Sequence, residues 1–200
     1  MDADTWVDLV VSLQTALGVA IFFNGYNGQQ GTFDPIPRII FTDDPGIQGD
    51  SLALGLVVTD LDNDTINDIA LTCPKLQFFG GYLKLLWGPN VPDRWRSGAV
   101  TPVSINLDTP GYDVKSAVDI VAALLNEPDA TGLLDLAIAN DDAVPPCVSV
   151  LINQGARTFG LTNYTAVNAK GITANRFRAG KRPDLVITDN LNSRVRILWN

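Results

Sequence analysis

The fold of this chain is decided by the stretch at positions 60–72, which reads DLDNDTINDIALT. Its first nine residues place aspartates at loop positions 1, 3, 5 and 9, with no Lys or Arg among them to balance the charge. Calcium resolves such repulsion, because it takes about six to eight oxygen ligands from side chains and backbone carbonyls. The predicted calcium ligands are Asp60, Asp62, Asp64, the carbonyl of Ile66, and Asp68.

The EF-hand is the competing interpretation of this stretch, because it also begins with alternating acidic residues. An EF-hand needs a Glu at the twelfth position and a helix on each side of the loop. Here Leu71 occupies that position, and the flanks at 56–59 and 69–72 are apolar and β-branched, as is typical of strands. The stretch therefore predicts a calcium loop at the turn of a β-hairpin, with a metal-free acidic turn as the alternative.

Composition narrows the classes of protein to consider. The 200 residues are 46% hydrophobic and 18% charged, which is typical of one globular, β-rich domain. A net charge of −8 argues against a nucleic-acid partner, because phosphate binding requires a basic surface. The absence of histidine excludes Ser-His-Asp and Cys-His catalysis and every zinc site with a histidine ligand. Cys73 and Cys147 are expected to stay thiols, with a disulfide between them as the alternative.

The apolar run at residues 9–23 bears on membrane insertion and export. It is too short to cross a membrane, so membrane insertion is not expected. Acidic residues stand at Asp2, Asp4 and Asp8, where an export signal carries Lys or Arg. No export signal is therefore visible, and we expect the true N-terminus to lie upstream of Met1.

One pattern recurs four times along the chain: an aspartate, then an apolar strand, then a second strand with large apolar residues on alternate positions. The aspartates are Asp8, Asp68, Asp135 and Asp184, and the second strands are at 19–23, 83–87, 148–152 and 195–199. The repeats define four units within one domain of residues 1–200, at about 1–50, 51–110, 111–168 and 169–200.

Each unit is interpreted as an antiparallel sheet of up to four strands, named A to D. The strands predicted along the chain are B-C-D, A-B-C-D, A-B-C-D and A-B-C. A single four-stranded sheet cannot bury both of its faces, whereas radial stacking of such sheets does so. The predicted fold is therefore all-β, with the sheets as blades of a β-propeller.

The repeated unit resembles the FG-GAP/VCBS repeat, the propeller blade of integrin α-subunit N-terminal heads and of many secreted proteins. The best matches to that family's calcium loop and following V-x-V-L-x-N-x-G-x-G-x-F pattern are residues 60–71 and 148–159. The resemblance covers essentially the whole chain and implies a β-propeller with Ca²⁺ in the A–B loops and an extracellular or cell-surface location. Family propellers have about seven blades, so a segment of a larger propeller is expected, with a closed four-bladed ring as the alternative.

The main loop departs from the family pattern at its sixth position. The family usually has glycine there, where the backbone φ is often positive, whereas this chain has Thr65. Branching at Cβ makes threonine resist that conformation, although Asn63 can take up part of the turn.

The other three A–B loops keep fewer acidic residues. Weak calcium binding is expected at the third loop through Glu127, Asp129, Thr131 and Asp135. The first loop offers only an incomplete set, Asp2, Asp4 and Asp8. The fourth loop has Arg176 and Arg178 in place of acids, so we expect salt bridges to Asp184 there; an anion site is the alternative.

The function implied by the resemblance is a non-catalytic, lectin-like or adhesive module that binds an extracellular protein or glycan. If metal stabilises the face with the A–B loops, the ligand is expected on the opposite face, with an exposed Trp95 available to stack on a sugar. The candidate ligand contacts are Asn140, Asp141, Asp142, Asp189, Asn190, Asn192 and Trp95. Ordinary polar turns, and a Trp95 that caps a blade edge, are the alternatives.

Two further expectations concern activity and assembly. The alternative function is a calcium-assisted polysaccharide lyase or another carbohydrate-active enzyme, and a purely structural propeller fits the sequence equally well. The first unit lacks strand A and the fourth lacks strand D, so self-association through open blade edges is expected.

Overall fold

Short strands joined by turns form almost all regular structure in the computed structural model. The structure describes residues 6–14, 18–41, 52–74, 81–88, 94–126, 132–179 and 181–200. Within them lie one 3-10 turn (Tyr26–Gly28) and one helix, α1 (Arg94–Ser97). The strands are β1 (Leu9–Leu13), β2 (Gly18–Phe22), β3 (Arg38–Phe41), β4 (Leu56–Thr59), β5 (Asp68–Cys73), β6 (Tyr82–Leu86), β7 (Val103–Asn106), β8 (Asp113–Val114), β9 (Ala117–Ala123), β10 (Asp135–Asn140), β11 (Ala143–Val144), β12 (Cys147–Gly155), β13 (Thr158–Thr165), β14 (Ala169–Asn175), β15 (Asp184–Asp189) and β16 (Arg194–Leu198).

These strands form four main antiparallel sheets, one for each repeat. The first sheet is β1-β2-β3, the second β4-β5-β6-β7, the third β9-β10-β12-β13 and the fourth β14-β15-β16. The all-β prediction is confirmed, and the sheets contain the three, four, four and three strands expected from the repeats. A small extra pair, β8 with β11, was not predicted.

The four sheets pack face to face in chain order. Ile21 of the first sheet packs with Ile69 and Leu71 of the second, and Ala70 on the other face of the second sheet packs with Leu136 of the third. A third apolar cluster joins the third sheet to the fourth. Because successive side chains of a strand point to opposite faces, each inner sheet is apolar on both sides.

Two further observations concern the cysteines and the membrane. Cys73 and Cys147 are both buried and no disulfide joins them. Burial raises the pKa of the Cys147 thiol above its ordinary value. The described residues contain no helix with the length and apolar character that a membrane crossing requires.

Candidate metal centre

The loop between β4 and β5 brings three carboxylates together. Asp60, Asp62 and Asp68 each offer one oxygen, and these oxygens lie within 4.8 Å of one another. Asp68 is buried and the other two are partly buried. The hairpin predicted around this loop is confirmed, since Thr59 at the end of β4 pairs with Asp68 at the start of β5.

Backbone N–H groups of the loop donate hydrogen bonds to the carboxylate of Asp60, so the loop curls around this side chain. Its Oδ1 accepts the backbone N–H of Asn63 at 2.7 Å and that of Asp64 at 3.2 Å, and its Oδ2 accepts the N–H of Thr65 at 2.7 Å. Asp64 lies outside the three-carboxylate cluster, and its Oδ1 accepts the N–H of Ile66 at 2.8 Å. Asp62 Oδ1 also accepts the N–H of Asp64 at 3.2 Å, so all four residues from Asp60 to Ile66 that are predicted as ligands make contacts that shape the turn.

The backbone at the sixth loop position is left-handed, the conformation in which glycine is the usual residue. Asn63 has φ 64° and Thr65 has φ 73°. A non-glycine residue in this region costs about 1–2 kcal/mol, and asparagine tolerates it better than β-branched threonine. The loop therefore adopts the glycine-type conformation without the glycine.

Asp68 is the most buried member of the cluster. Its Oδ2 accepts the N–H of Leu61 at 2.8 Å, and its Oδ1 accepts that of Gly88 at 2.5 Å. Burial raises the pKa of Asp68 to about 6, and the charges of Asp62 and Asp64 act in the same direction. The two backbone donors lower the pKa but do not outweigh burial. A bound cation would favour the ionised form of this carboxyl.

A basic side chain from the third sheet reaches this loop. Arg157, in the turn between β12 and β13, places Nε 2.7 Å from Asp62 Oδ2 and Nη2 3.8 Å from Asp64 Oδ2. Its guanidinium lies 5.0 Å from the ring centroid of Trp87, which stacks on Phe159. Sequence reasoning found no basic residue in the loop and missed Arg157, because only the packing of the third sheet on the second brings it there.

The recurring aspartates share one structural role and are called the closing aspartates below. In each repeat, Oδ1 of this residue accepts a backbone N–H from the end of strand C. The pairs are Asp8 with Asn24, Asp68 with Gly88, Asp135 with Asn153, and Asp184 with Asn200, at 2.9, 2.5, 2.8 and 2.9 Å. The recurrence of aspartate at this position is therefore explained by backbone hydrogen bonding, with or without a metal.

In the third loop, the hydrogen bonds to the closing aspartate give an alignment with the main loop that differs from the one predicted by the acidic residues. Leu125 donates its N–H to Asp135 Oδ2 at 2.8 Å, as Leu61 does to Asp68. Leu124, the residue before Leu125, therefore occupies the place of Asp60, which removes one carboxylate. The spacing of the acidic residues predicts Glu127 in that place, and the metal site of the third loop stays a prediction. The predicted ligands Asp2, Asp4, Glu127, Asp129 and Thr131 lie outside the described residues.

The fourth loop contains the predicted salt bridge. Arg178 Nη2 lies 2.6 Å from Asp184 Oδ1 and also donates to the carbonyl of Asn200 at 2.8 Å. The hydrogen bond from Arg178 holds the pKa of Asp184 below its ordinary value. The guanidinium of Arg178 thus neutralises the closing aspartate of the fourth loop, as a bound metal ion would neutralise Asp68 in the main loop.

Two of the predicted ligand contacts are internal. Asn140 is fully buried and donates to Ser149 Oγ at 2.9 Å. Asp189 is buried and accepts from Arg194 and Arg196 at 3.0 and 3.2 Å. These contacts correct the expectation of surface ligand residues at both positions. The remaining candidates lie in turns: Asp141, Asp142, Asn190 and Asn192.

The expectation of an exposed Trp95 is wrong. The side chain has 0% exposure and packs in the cluster between the first and second sheets, with Val19 and Leu86. Its carbonyl accepts from Arg38 Nη1 at 2.6 Å. Trp95 is therefore a core residue in the connection between β6 and β7 and does not present its ring to a sugar.

No protein-family model matches the chain, and no curated protein matches its sequence.

Proposed function

We propose that the chain is a calcium-stabilised, non-catalytic β-propeller module of the FG-GAP/VCBS type that binds an extracellular protein or glycan. The observation that carries the proposal is the convergence of Asp60, Asp62 and Asp68 in a loop joined to a repeated sheet framework. The packing of four antiparallel sheets in chain order supports a propeller, because radial stacking buries both faces of such sheets.

Calcium is favoured by the chemistry of the donors. The three carboxylates supply hard oxygen ligands, and no Cys or His belongs to the described cluster. Magnesium demands near-ideal octahedral geometry, whereas calcium tolerates the irregular arrangement of a turn. Extracellular modules bind calcium with a Kd of about 10⁻⁴–10⁻³ M, which matches a loop with three converging carboxylates and the competing charge of Arg157.

The metal proposal is tested by calcium titration with thermal unfolding as the readout. At a calcium concentration 100 times Kd, the free energy of unfolding should rise by about 2.7 kcal/mol. Asp62→Asn should remove most of the calcium-dependent rise in Tm. Asp113→Asn is the matched control, since Asp113 lies in β8, outside the loop, and it should keep the rise.

An unchanged Tm between calcium and EDTA in the wild-type chain would overturn the metal proposal. The same rise with magnesium as with calcium would also contradict it, because the loop would then not select the larger cation.

The geometry of the described residues does not support the alternative function, a carbohydrate-active enzyme. Asp68 is a carboxyl with a raised pKa, the feature expected of a general acid. Its two oxygens already accept the N–H groups of Leu61 and Gly88, and the other closing aspartates make the same kind of bond. Asp68 is also only 1% exposed, so a substrate in solvent does not reach its carboxyl, which lies inside the loop where the proposed cation would bind. Glycan-array binding, compared with turnover of polyuronides, separates the binding module from the enzyme.

A further inference from the structure

In each sheet, the position of the closing aspartate determines which of the following residues lie on which face of the sheet. The residues one and three places after that aspartate face the preceding sheet, and the residue two places after it faces the following sheet. Thus Ile69 and Leu71 pack against the first sheet, whereas Ala70 packs with the third. Leu185 and Ile187 obey the same rule against the third sheet. We call the two sides the preceding face and the following face.

The first and fourth sheets each leave one apolar face exposed. On the preceding face of the first sheet, Leu9, Val11, Ile39 and Phe41 are 47%, 38%, 45% and 58% exposed. Register places these side chains on one side, since Ala20 pairs with both Val11 and Ile39. Exposed apolar faces of this kind mark interaction sites.

The following face of the fourth sheet is its counterpart. Val186 pairs with Ile197, and Thr188 pairs with Val195, so these residues share one side of the sheet. Val195 is 62% exposed and Ile197 is 38% exposed. This is the face that, in the second and third sheets, is covered by the next sheet.

The two end units are complementary in charge. Residues 1–50 contain seven aspartates and one arginine, whereas residues 169–200 contain seven Lys and Arg and two aspartates. Like ends repel and unlike ends attract, which favours contact of a first unit with a fourth unit over contact of two identical units.

Hydrogen bonds between successive sheets show how such a contact would be completed. Asn153 Nδ2 donates to the carbonyl of Leu61 at 2.7 Å, and Asn200 Nδ2 donates to that of Leu125 at 2.6 Å. In both, the asparagine at the end of strand C reaches the A–B loop of the preceding sheet. Asn24 holds the corresponding place in the first sheet, since its N–H bonds Asp8.

The fourth sheet has the matching loop residue. The N–H of Phe177 bonds Asp184, as that of Leu61 bonds Asp68. Leu61 is 1% exposed because the third sheet covers it, whereas Phe177 is 51% exposed. The carbonyl and ring of Phe177 are therefore placed to receive a first sheet that carries Asn24.

We propose that two copies of this chain associate head to tail, with the preceding face of the first sheet of one copy packed on the following face of the fourth sheet of the other. Asn24 of one copy then donates to the carbonyl of Phe177 of the other. Two such contacts related by a twofold axis close a ring of eight sheets, within the range of about four to eight blades seen in propellers. The assembly involves no residue of the proposed metal centre.

The test measures mass by light scattering, in calcium and again in EDTA. The wild-type chain is expected at twice its 21.5 kDa mass. Phe41→Asp charges the first-sheet face and Val195→Asp the fourth-sheet face, and each variant should be monomeric by itself. An equimolar mixture of the two should recover pairs, because one intact face of each kind remains. Tyr164→Asp is the matched control, on an equally exposed aromatic of β13, and should leave the mass unchanged.

A monomeric wild-type chain overturns the proposal, including a monomer whose own first and fourth sheets meet. A mixture of the two variants that stays monomeric also overturns it, since head-to-tail contact requires complementation. Circular dichroism checks that each variant is folded, and Ile39→Lys replaces Phe41→Asp if the latter unfolds. Association in EDTA separates this proposal from the calcium proposal, because the readout needs no bound metal.

Discussion

The guanidinium of Arg157 lies 2.7 Å from a carboxylate oxygen of Asp62, although 95 positions separate the two residues in the chain. This contact joins the third sheet to the acidic loop of the second and adds positive charge to a loop whose own sequence has none. Under the proposed function, a bound cation and Arg157 would compete for the charge of Asp62 and Asp64, and the balance between them would set the affinity of the loop.

Replacement of Arg157 should strengthen calcium binding. Arg157→Gln removes the competing charge, so the Kd for calcium is expected to fall several-fold in isothermal titration. Without calcium, the variant should lose about 0.5–1 kcal/mol, because the ion pair is partly exposed. Lys170→Gln is the control, since Lys170 pairs with Asp141 outside the loop. A weaker calcium affinity in Arg157→Gln would show that the guanidinium supports the metal site and does not compete with it.

Removal of the Asn153 side chain should destabilise the contact between the second and third sheets. Asn153→Ala leaves the buried carbonyl of Leu61 without this donor, at a cost of about 1–3 kcal/mol in the free energy of unfolding. Urea denaturation measures the loss. Asn190→Ala, at an exposed turn position, is the control and should change stability little. Equal stability of the two variants would contradict the role assigned to Asn153.

Addition of one methyl group at Gly88 should disturb the metal loop. A Cβ at this position would lie 2.7 Å from Ile66 Cγ2 and 3.0 Å from the carbonyl of Asn67. Gly88→Ala is therefore expected to cost about 1–3 kcal/mol and to weaken calcium binding, because Ile66 must move. Thermal unfolding with and without calcium measures both effects. An unchanged calcium response would show that the loop does not depend on this close packing.

Loss of the Arg178 side chain should change stability in a pH-dependent way. The pKa of Asp184 is lowered in the folded state by its hydrogen bond from Arg178. A depressed folded pKa stabilises the fold above the unfolded pKa of about 3.9, and that stabilisation is lost as the pH falls through the folded value. The difference in stability between wild type and Arg178→Gln should therefore be largest near neutral pH and shrink in acid. A difference that is constant from pH 7 to pH 2 would contradict this linkage.

The all-β class, the approximate positions of strands B and C in each repeat and the position of the main loop could be predicted because they depend on local signals. Alternating apolar residues define strands, and the four closing aspartates mark where strand B begins in each repeat. The spacing of the acidic residues in the main loop correctly predicted that Asp60, Asp62 and Asp68 lie close together, since all three belong to one short turn.

The tertiary structure decided which of these side chains are accessible and which charges meet. The sequence gives no sign that Trp95, Asn140 and Asp189 are buried, because burial depends on what packs over a turn. The third loop is longer than the main loop, so residue spacing does not align Leu124 with Asp60. Only the hydrogen bonds to the closing aspartates show that these two residues correspond. Arg157 reaches Asp62 because one sheet packs on the next, and no local pattern encodes a contact between residues so far apart in the chain.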